Sequence, residues 1–227
     1  MQKGNPYMLA IELNTNLIPA LQLEDTVGKA LQLITDFKVS HLSVVSEEKY
    51  LGLISEADLL TAGNNNMKIQ ILQDEFINVF VKENDHFLKA VNISNEYQTS
   101  IVPVVNNDME FLGSIMGQDL LKIIGNFSGA KEVGGIIVLE MKQSQFSISE
   151  ISRIVESNEA IISHLNTTVH PETGLLTVTI NINKKDLLMV VAAFERYEYD
   201  VIYYFGEEKF ENEIHSNYLH LMNYLDI

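Results

Sequence analysis

A ten-residue stretch of this chain is written twice. Leu51-Gly52-Leu53-Ile54-Ser55-Glu56-Ala57-Asp58-Leu59-Leu60 returns about sixty positions later as Leu112-Gly113-Ser114-Ile115-Met116-Gly117-Gln118-Asp119-Leu120-Leu121. The Leu-Gly opening, the Ile, the Asp and the closing Leu-Leu keep their places. A period of this length marks one supersecondary unit repeated, with neighbouring copies packing together. Each copy reads as a buried strand running directly into a helix. Gly allows a turn or a close approach, and Asp falls in the first helical turn, where an acid meets the helix dipole favourably.

The elements around the two copies have the same order. In the first, a strand at 17–23 precedes a helix opened by Asp25-Thr26, with Val27, Ala30, Leu31, Ile34 and Phe37 at helical spacing. Strands at 42–45 and 50–54 follow, and Ser55 begins the closing helix. After the Asn64-Asn65-Asn66 loop the pattern recurs: strand 76–81, helix 86–97, strands 100–105 and 111–115, helix 117–124. The predicted unit is βαββα, twice.

Ile101-Val102-Pro103-Val104-Val105 with Gly113…Asp119, and His41-Leu42-Ser43-Val44-Val45 with Gly52…Ser55…Asp58, resemble the pattern of cystathionine-β-synthase (CBS) domains. That pattern is an apolar strand with Pro-Val followed by Gly-x-Ile/Val-Ser/Thr-x-x-Asp. The resemblance covers roughly residues 7–125 as a CBS pair, a Bateman module. It implies a regulatory module that binds adenosine-containing ligands in clefts between the repeats. By the same resemblance Asp58 and Asp119 accept the ribose hydroxyls, and Ser55 holds ribose or phosphate. Ser40 and His41 in the first repeat, and Ser100 and Ile101 in the second, occupy the positions that face adenine and phosphate. Ile101 and Met116 lack the polar groups for those tasks, so the first site reads as intact and the second as impaired. Ser55-x-x-Asp58 is also a capping box, a purely structural use of the same residues; Met116 removes that use from the second copy. With only His41 and Lys38 near a phosphate, the expected ligand has low charge: AMP or S-adenosylmethionine ahead of ADP or ATP.

A Gly/Ser-rich stretch from Gly125 to Gly135 separates a different pattern. A continuous apolar strand at 136–139 leads to Ser147-Ile148-Ser149-Glu150, a capping-box helix start. Strands at 161–170 and 175–183 flank the Pro171-Glu172-Thr173-Gly174 turn. In the second of them Leu176, Val178, Ile180 and Ile182 alternate with polar residues, so one face is buried. A helix at 186–199 and a strand at 201–205 complete βαββαβ. This order resembles the ACT domain, a ferredoxin-like fold used for amino-acid sensing or dimerisation. The Asp-x-x-Gly-type turn of its ligand-binding members is absent from Lys142-Gln143-Ser144-Gln145-Phe146-Ser147, which implies a structural or dimerising role. A CBS pair joined to an ACT-like domain resembles the acetoin-utilisation protein AcuB family. Phe210, Ile214, Tyr218, Leu221 and Leu225 fall on one stripe of a C-terminal helix.

The expected division is 1–66 and 67–127 for the CBS repeats, 133–208 for the ACT-like domain and 209–227 for the terminal helix. The fold class is α+β.

Composition narrows the function. The net charge of -16 is shared evenly between the two parts, and only Arg153 and Arg196 supply guanidinium groups, which disfavours nucleic acid and anionic membranes. The absence of cysteine excludes disulfides and thiol chemistry. No apolar run approaches the ~18–20 residues of a membrane helix, and Met1–Pro6 leads into no signal-peptide core, both of which fit a cytoplasmic protein. No metal site is expected: His164 and His170 are too far apart on a strand, and His215 and His220 point apart on a helix. No motif for catalysis is present, so an enzyme is not expected. The reading is a homodimeric regulatory protein with an unidentified regulated partner. A ligand-free interaction scaffold and an amino-acid sensor acting through the ACT-like part stay open beside it.

Overall fold

The computed structural model describes residues 8–206. The predicted terminal helix, 209–227, lies outside the described residues. The chain forms two compact units that part between Ile124 and Gly125.

The first unit begins with a short helix α1 (Ala10–Leu13). The first repeat follows as β1 (Leu21–Gln22), α2 (Val27–Phe37), β2 (His41–Ser46), β3 (Lys49–Ser55) and α3 (Glu56–Thr61). A 3-10 segment at Ile69–Glu75 leads to the second: β4 (Val81–Lys82), α4 (Phe87–Glu96), β5 (Ile101–Val105), β6 (Phe111–Met116) and α5 (Gly117–Phe127). Each repeat builds its own sheet, β1-β2-β3 and β4-β5-β6, with the first pair parallel and the second antiparallel.

The Leu-Gly signature has a structural reason. Gly52 pairs with Val44 and Gly113 with Val104, and in both sheets the register slips at the next residue. A bulge bends and twists the strand locally, and a residue without Cβ accommodates the close approach this creates. A Cβ on Gly113 would lie 2.4 Å from the side-chain oxygens of Asn14 and Asn16, at a φ of +137°. The central strands β2 and β5 are covered on both faces, as their apolar runs require.

The two predicted lead-in strands, 17–23 and 76–81, are mostly absent. Only two residues of each lead-in region pair within their own repeat, because the upstream part crosses over. Thr15 bridges to Ser114 of the second repeat, and Ile77 bridges to Leu53 of the first. Ala10 accordingly sits in the second repeat's core and Ile69 in the first's. Each repeat is therefore completed by the segment that precedes the other. Pro19, without an N–H, cannot extend the ladder.

The second unit comprises β7 (Gly135–Met141), α6 (Ile148–Ser157), β8 (Ile162–Val169), β9 (Leu176–Ile182), α7 (Leu188–Arg196) and β10 (Asp200–Phe205). Its sheet runs β10-β7-β9-β8, antiparallel throughout, which is the ferredoxin-like order. Ile137, Leu139, Val178 and Ile180 meet Ile151, Ile154, Val190 and Phe194 of the helices in one core. Each such side chain contributes about 1.5–3 kcal/mol by leaving water. The continuous apolar run at 136–139 is a strand whose burial alternates: Ile137 and Leu139 point into the core while Ile136 is exposed and Val138 half-buried. A run of apolar residues does not reveal that only one face of a two-layer sandwich is covered.

Candidate functional site

The first repeat concentrates its polar predicted residues where β2 begins and β3 ends. Lys38, in the left-handed conformation at φ 54°, closes α2 with its N–H on the Ile34 carbonyl. The chain then turns into β2 at Ser40. His41 pairs with Ser55 across the ladder, so the imidazole and the foot of α3 are neighbours. The Ser40 carbonyl accepts the Glu56 N–H at 2.9 Å and fixes where α3 starts.

The capping box foreseen at Ser55 is formed. Ser55 Oγ accepts the Asp58 N–H at 3.2 Å, and Asp58 Oδ2 accepts the Ser55 N–H at 3.2 Å and its hydroxyl at 2.5 Å. Both bonds to the carboxylate fall on one oxygen. The Asp58 side chain is thereby oriented by the cap of its own helix.

The second repeat is arranged differently. Ser100 lies at the start of β5 and its carbonyl accepts the Gly117 N–H at 2.9 Å, the counterpart of the Ser40–Glu56 bond. Its remaining polar groups turn to the first repeat. Ser100 Oγ accepts the Ser40 N–H at 2.9 Å, and the Ser100 N–H donates to His41 Nδ1 at 3.3 Å. Ile101 is fully buried in the first repeat's core, and Met116 packs against the same core. Asp119 Oδ1 is held by Lys122 Nζ at 2.8 Å on its own helix. The structure thus gathers Ser40, His41, Ser55 and Asp58 with Ser100, and leaves Asp119 engaged elsewhere.

The His41 imidazole is held toward its neutral form. Burial pulls its pKa below the ordinary 6.5, and the Asp58 carboxylate offsets this only in part. With Nδ1 accepting from Ser100, the ring proton resides on Nε2.

A pair of buttresses escaped the sequence reading. Asp25 Oδ2 accepts the Gln22 N–H at 2.9 Å and Oδ1 takes Lys29 Nζ at 2.7 Å. Asp85 Oδ2 accepts the Lys82 N–H at 2.8 Å and Lys89 Nζ at 2.7 Å. The signal was present as Asp25-x-x-x-Lys29-Ala30, repeated as Asp85-x-x-x-Lys89-Ala90.

In the second unit a cavity of about 490 Å³ adjoins the 142–147 loop. Glu140, Glu150, Glu198 and Asp200 line it beside Lys142. Tyr199 donates its hydroxyl to Glu150 Oε2 at 2.8 Å, and burial followed by that carboxylate pushes its pKa up to about 12. The lining is therefore acidic on balance.

Among the described residues no group of three or more His, Cys, Asp or Glu is placed to hold a metal ion, and no helix is long and apolar enough to cross a membrane.

The CBS domain family model matches residues 12–65 and 74–126. An inosine-5′-monophosphate dehydrogenase from Methanocaldococcus jannaschii is 26% identical over 100 residues, which is 44% of this chain and only 20% of that enzyme. Among solved structures, a CBS domain pair/ACT domain protein from Thermotoga maritima is 20% identical, covering 53% of this chain and 98% of that one at a TM-score of 0.48. CBSX2 in complex with AMP is 17% identical, with 52% and 97% covered and a TM-score of 0.45. The CBS domain pair of MJ0100 with 5′-methylthioadenosine and S-adenosylmethionine is 20% identical, with 54% and 99% covered and a TM-score of 0.43. The doubled βαββα fold, the glycine-marked bulge in each sheet and the family match agree: the first unit of this chain is a tandem pair of CBS domains.

Proposed function

We propose that this CBS pair is a non-catalytic sensor of an adenosine-containing ligand of low charge, bound in the first cleft. Ser40, His41, Ser55 and Asp58 form that cleft, and Asp119 serves a weaker second one. Occupancy alters how two copies meet in a homodimer and so how the ferredoxin-like unit, read as an ACT-like domain, is presented to a regulated protein in the cytoplasm. A ligand shifts such an arrangement only by its differential affinity for two states.

What supports this reading is the Asp58 carboxylate, oriented through two hydrogen bonds to its Oδ2 next to the His41–Ser55 pair. Charge-assisted acceptance from a ribose diol suits that group. The lack of a cation at His41 favours AMP, S-adenosylmethionine or a nucleoside thioether over ADP and ATP.

Thermal denaturation with AMP, ADP, ATP, S-adenosylmethionine and an amino-acid panel tests it. A ligand at a hundredfold excess over its Kd stabilises the folded chain by about 2.7 kcal/mol. AMP or an adenosyl compound is expected to raise the melting temperature of the CBS pair more than ATP does. Silence from every adenosine compound overturns the reading. It would leave the ligand-free scaffold, which the self-sufficient capping box at Asp58 favours.

A further inference from the structure

Ser100 matches a ligand-facing position of the second repeat, yet its hydroxyl and its N–H both serve the first. Ser100 Oγ accepts the Ser40 N–H at 2.9 Å, and the Ser100 N–H holds His41 Nδ1 at 3.3 Å. Ser40 Oγ lies 3.2 Å from the same nitrogen. Behind these contacts the two closing helices hang from the two serines. Glu56, the first residue of α3, donates to the Ser40 carbonyl, and Gly117, the first residue of α5, donates to the Ser100 carbonyl, each at 2.9 Å. The Ser40, His41 and Ser100 side chains are partly buried, where hydrogen bonds strengthen one another and are costly to leave unmade.

We infer that Ser100 is a positioning residue of the first cleft, reaching it from the second repeat, and that the two clefts are coupled through the Ser40–Ser100 link. Displacing the foot of α3, which carries Asp58, moves the Ser40 backbone. That movement loads the Ser40 N–H bond to Ser100, and Ser100 in turn holds the start of α5, which carries Asp119. A ligand at one carboxylate is therefore felt at the other. The coupling of ligand sites rests on the adenosine reading above. The positioning by Ser100 does not.

Two arms of one experiment separate these. In the ligand-free full chain, amide hydrogen exchange is followed by NMR in wild type, Ser100→Ala and Ser100→Thr. Loss of the hydroxyl is expected to speed exchange at Ser40 and Glu56 by about tenfold, the equivalent of one part-buried hydrogen bond, with Thr restoring slow exchange. Unchanged exchange at both amides, or change confined to α5, overturns the positioning role. In the second arm AMP and 5′-methylthioadenosine are titrated calorimetrically. Ser100→Ala is expected to weaken binding about tenfold in an Asp119→Ala background, where only the first cleft remains, and in the otherwise unaltered chain to make the two clefts bind independently; coupling that survives Ser100→Ala contradicts the Ser40–Ser100 link as its route. Weakening seen only in an Asp58→Ala background returns Ser100 to the second cleft and contradicts the inference. If wild type binds neither compound, the sensor reading fails, and the exchange arm still decides whether Ser100 holds the first repeat.

Discussion

The hydroxyls of Ser43 and Ser114 lie 3.3 Å apart across the seam between the CBS repeats, both almost fully buried. Each comes from a different sheet, and each is the other's hydrogen-bonding side chain in a setting otherwise lined by apolar strands. Removing one leaves the other desolvated without a partner, at about 1–3 kcal/mol. Ser43→Ala alone should therefore destabilise the first unit by that amount, and Ser43→Ala/Ser114→Ala by less than the sum of the singles. Urea denaturation of the four proteins of the cycle checks this. Strict additivity would show that the two hydroxyls do not support each other.

The His41–Ser100 bond carries a pH dependence whose sign follows from the depressed pKa of His41. The unfolded chain takes up the proton near 6.5, the folded chain only below that value. The stabilisation is complete above about pH 6.5 and is lost as pH falls through the lower folded pKa, because a protonated Nδ1 no longer accepts the Ser100 N–H. His41→Asn, which retains an acceptor but does not titrate, should flatten the difference in stability between about pH 7.5 and about pH 5. Identical pH profiles for the two proteins would rule out His41 as the origin.

Asp25 and Asp85 predict a separate acid transition. Burial works against their ionisation, but the Lys29 and Lys89 ammonium groups and the Gln22 and Lys82 N–H groups outweigh it and hold both carboxyls below the usual value of 3.8. Their contribution is present above that value and disappears as pH drops through the folded pKa. Asp25→Asn and Asp85→Asn should each cost about 1 kcal/mol near about pH 6 and less at an acid pH well below 3.8. Chemical denaturation at the two pH values measures the difference, and a pH-independent cost would contradict it.

The repeated glycines differ from Gly125, which lies within α5, in what they tolerate. At Gly113 a methyl group would strike Asn14, Asn16 and the Thr15 carbonyl, in a backbone conformation that other residues avoid. Gly113→Ala should destabilise by about 2–4 kcal/mol. Gly125, inside α5 with nothing within 4 Å of where a Cβ would stand, should accept Ala with no loss of stability. Melting temperatures of the two variants decide this, and equal shifts would count against the bulge as the reason for the Leu-Gly signature.

Much of this architecture was legible because local chemistry and tertiary context agree. The apolar runs at β2 and β5 are buried on both faces, the alternation at 176–182 is a one-faced strand, and Ser55 caps its helix with Asp58 as its spacing requires. What escaped depends on partners far along the chain. Nothing within residues 9–18 announces that Thr15 will bridge to Ser114, nor does the neighbourhood of His41 contain the Ser100 N–H that sets its tautomer. Asp119 is the opposite case: Lys122 stands three residues away, so its ion pair was available from helical spacing alone. What the sequence could not supply is the company these residues keep: the Ser100 N–H on His41 Nδ1 and the Ser100 hydroxyl on the Ser40 N–H join positions about sixty residues apart.

Isothermal titration of AMP, S-adenosylmethionine and 5′-methylthioadenosine into wild type, Asp58→Asn and Asp119→Asn addresses the sensor reading most directly. Asp58→Asn keeps the shape of the capping box but removes the charge that accepts a diol. The account predicts saturable binding to wild type, loss of at least about tenfold in affinity with Asp58→Asn, and a smaller change with Asp119→Asn. Equal affinities for wild type and Asp58→Asn would contradict it.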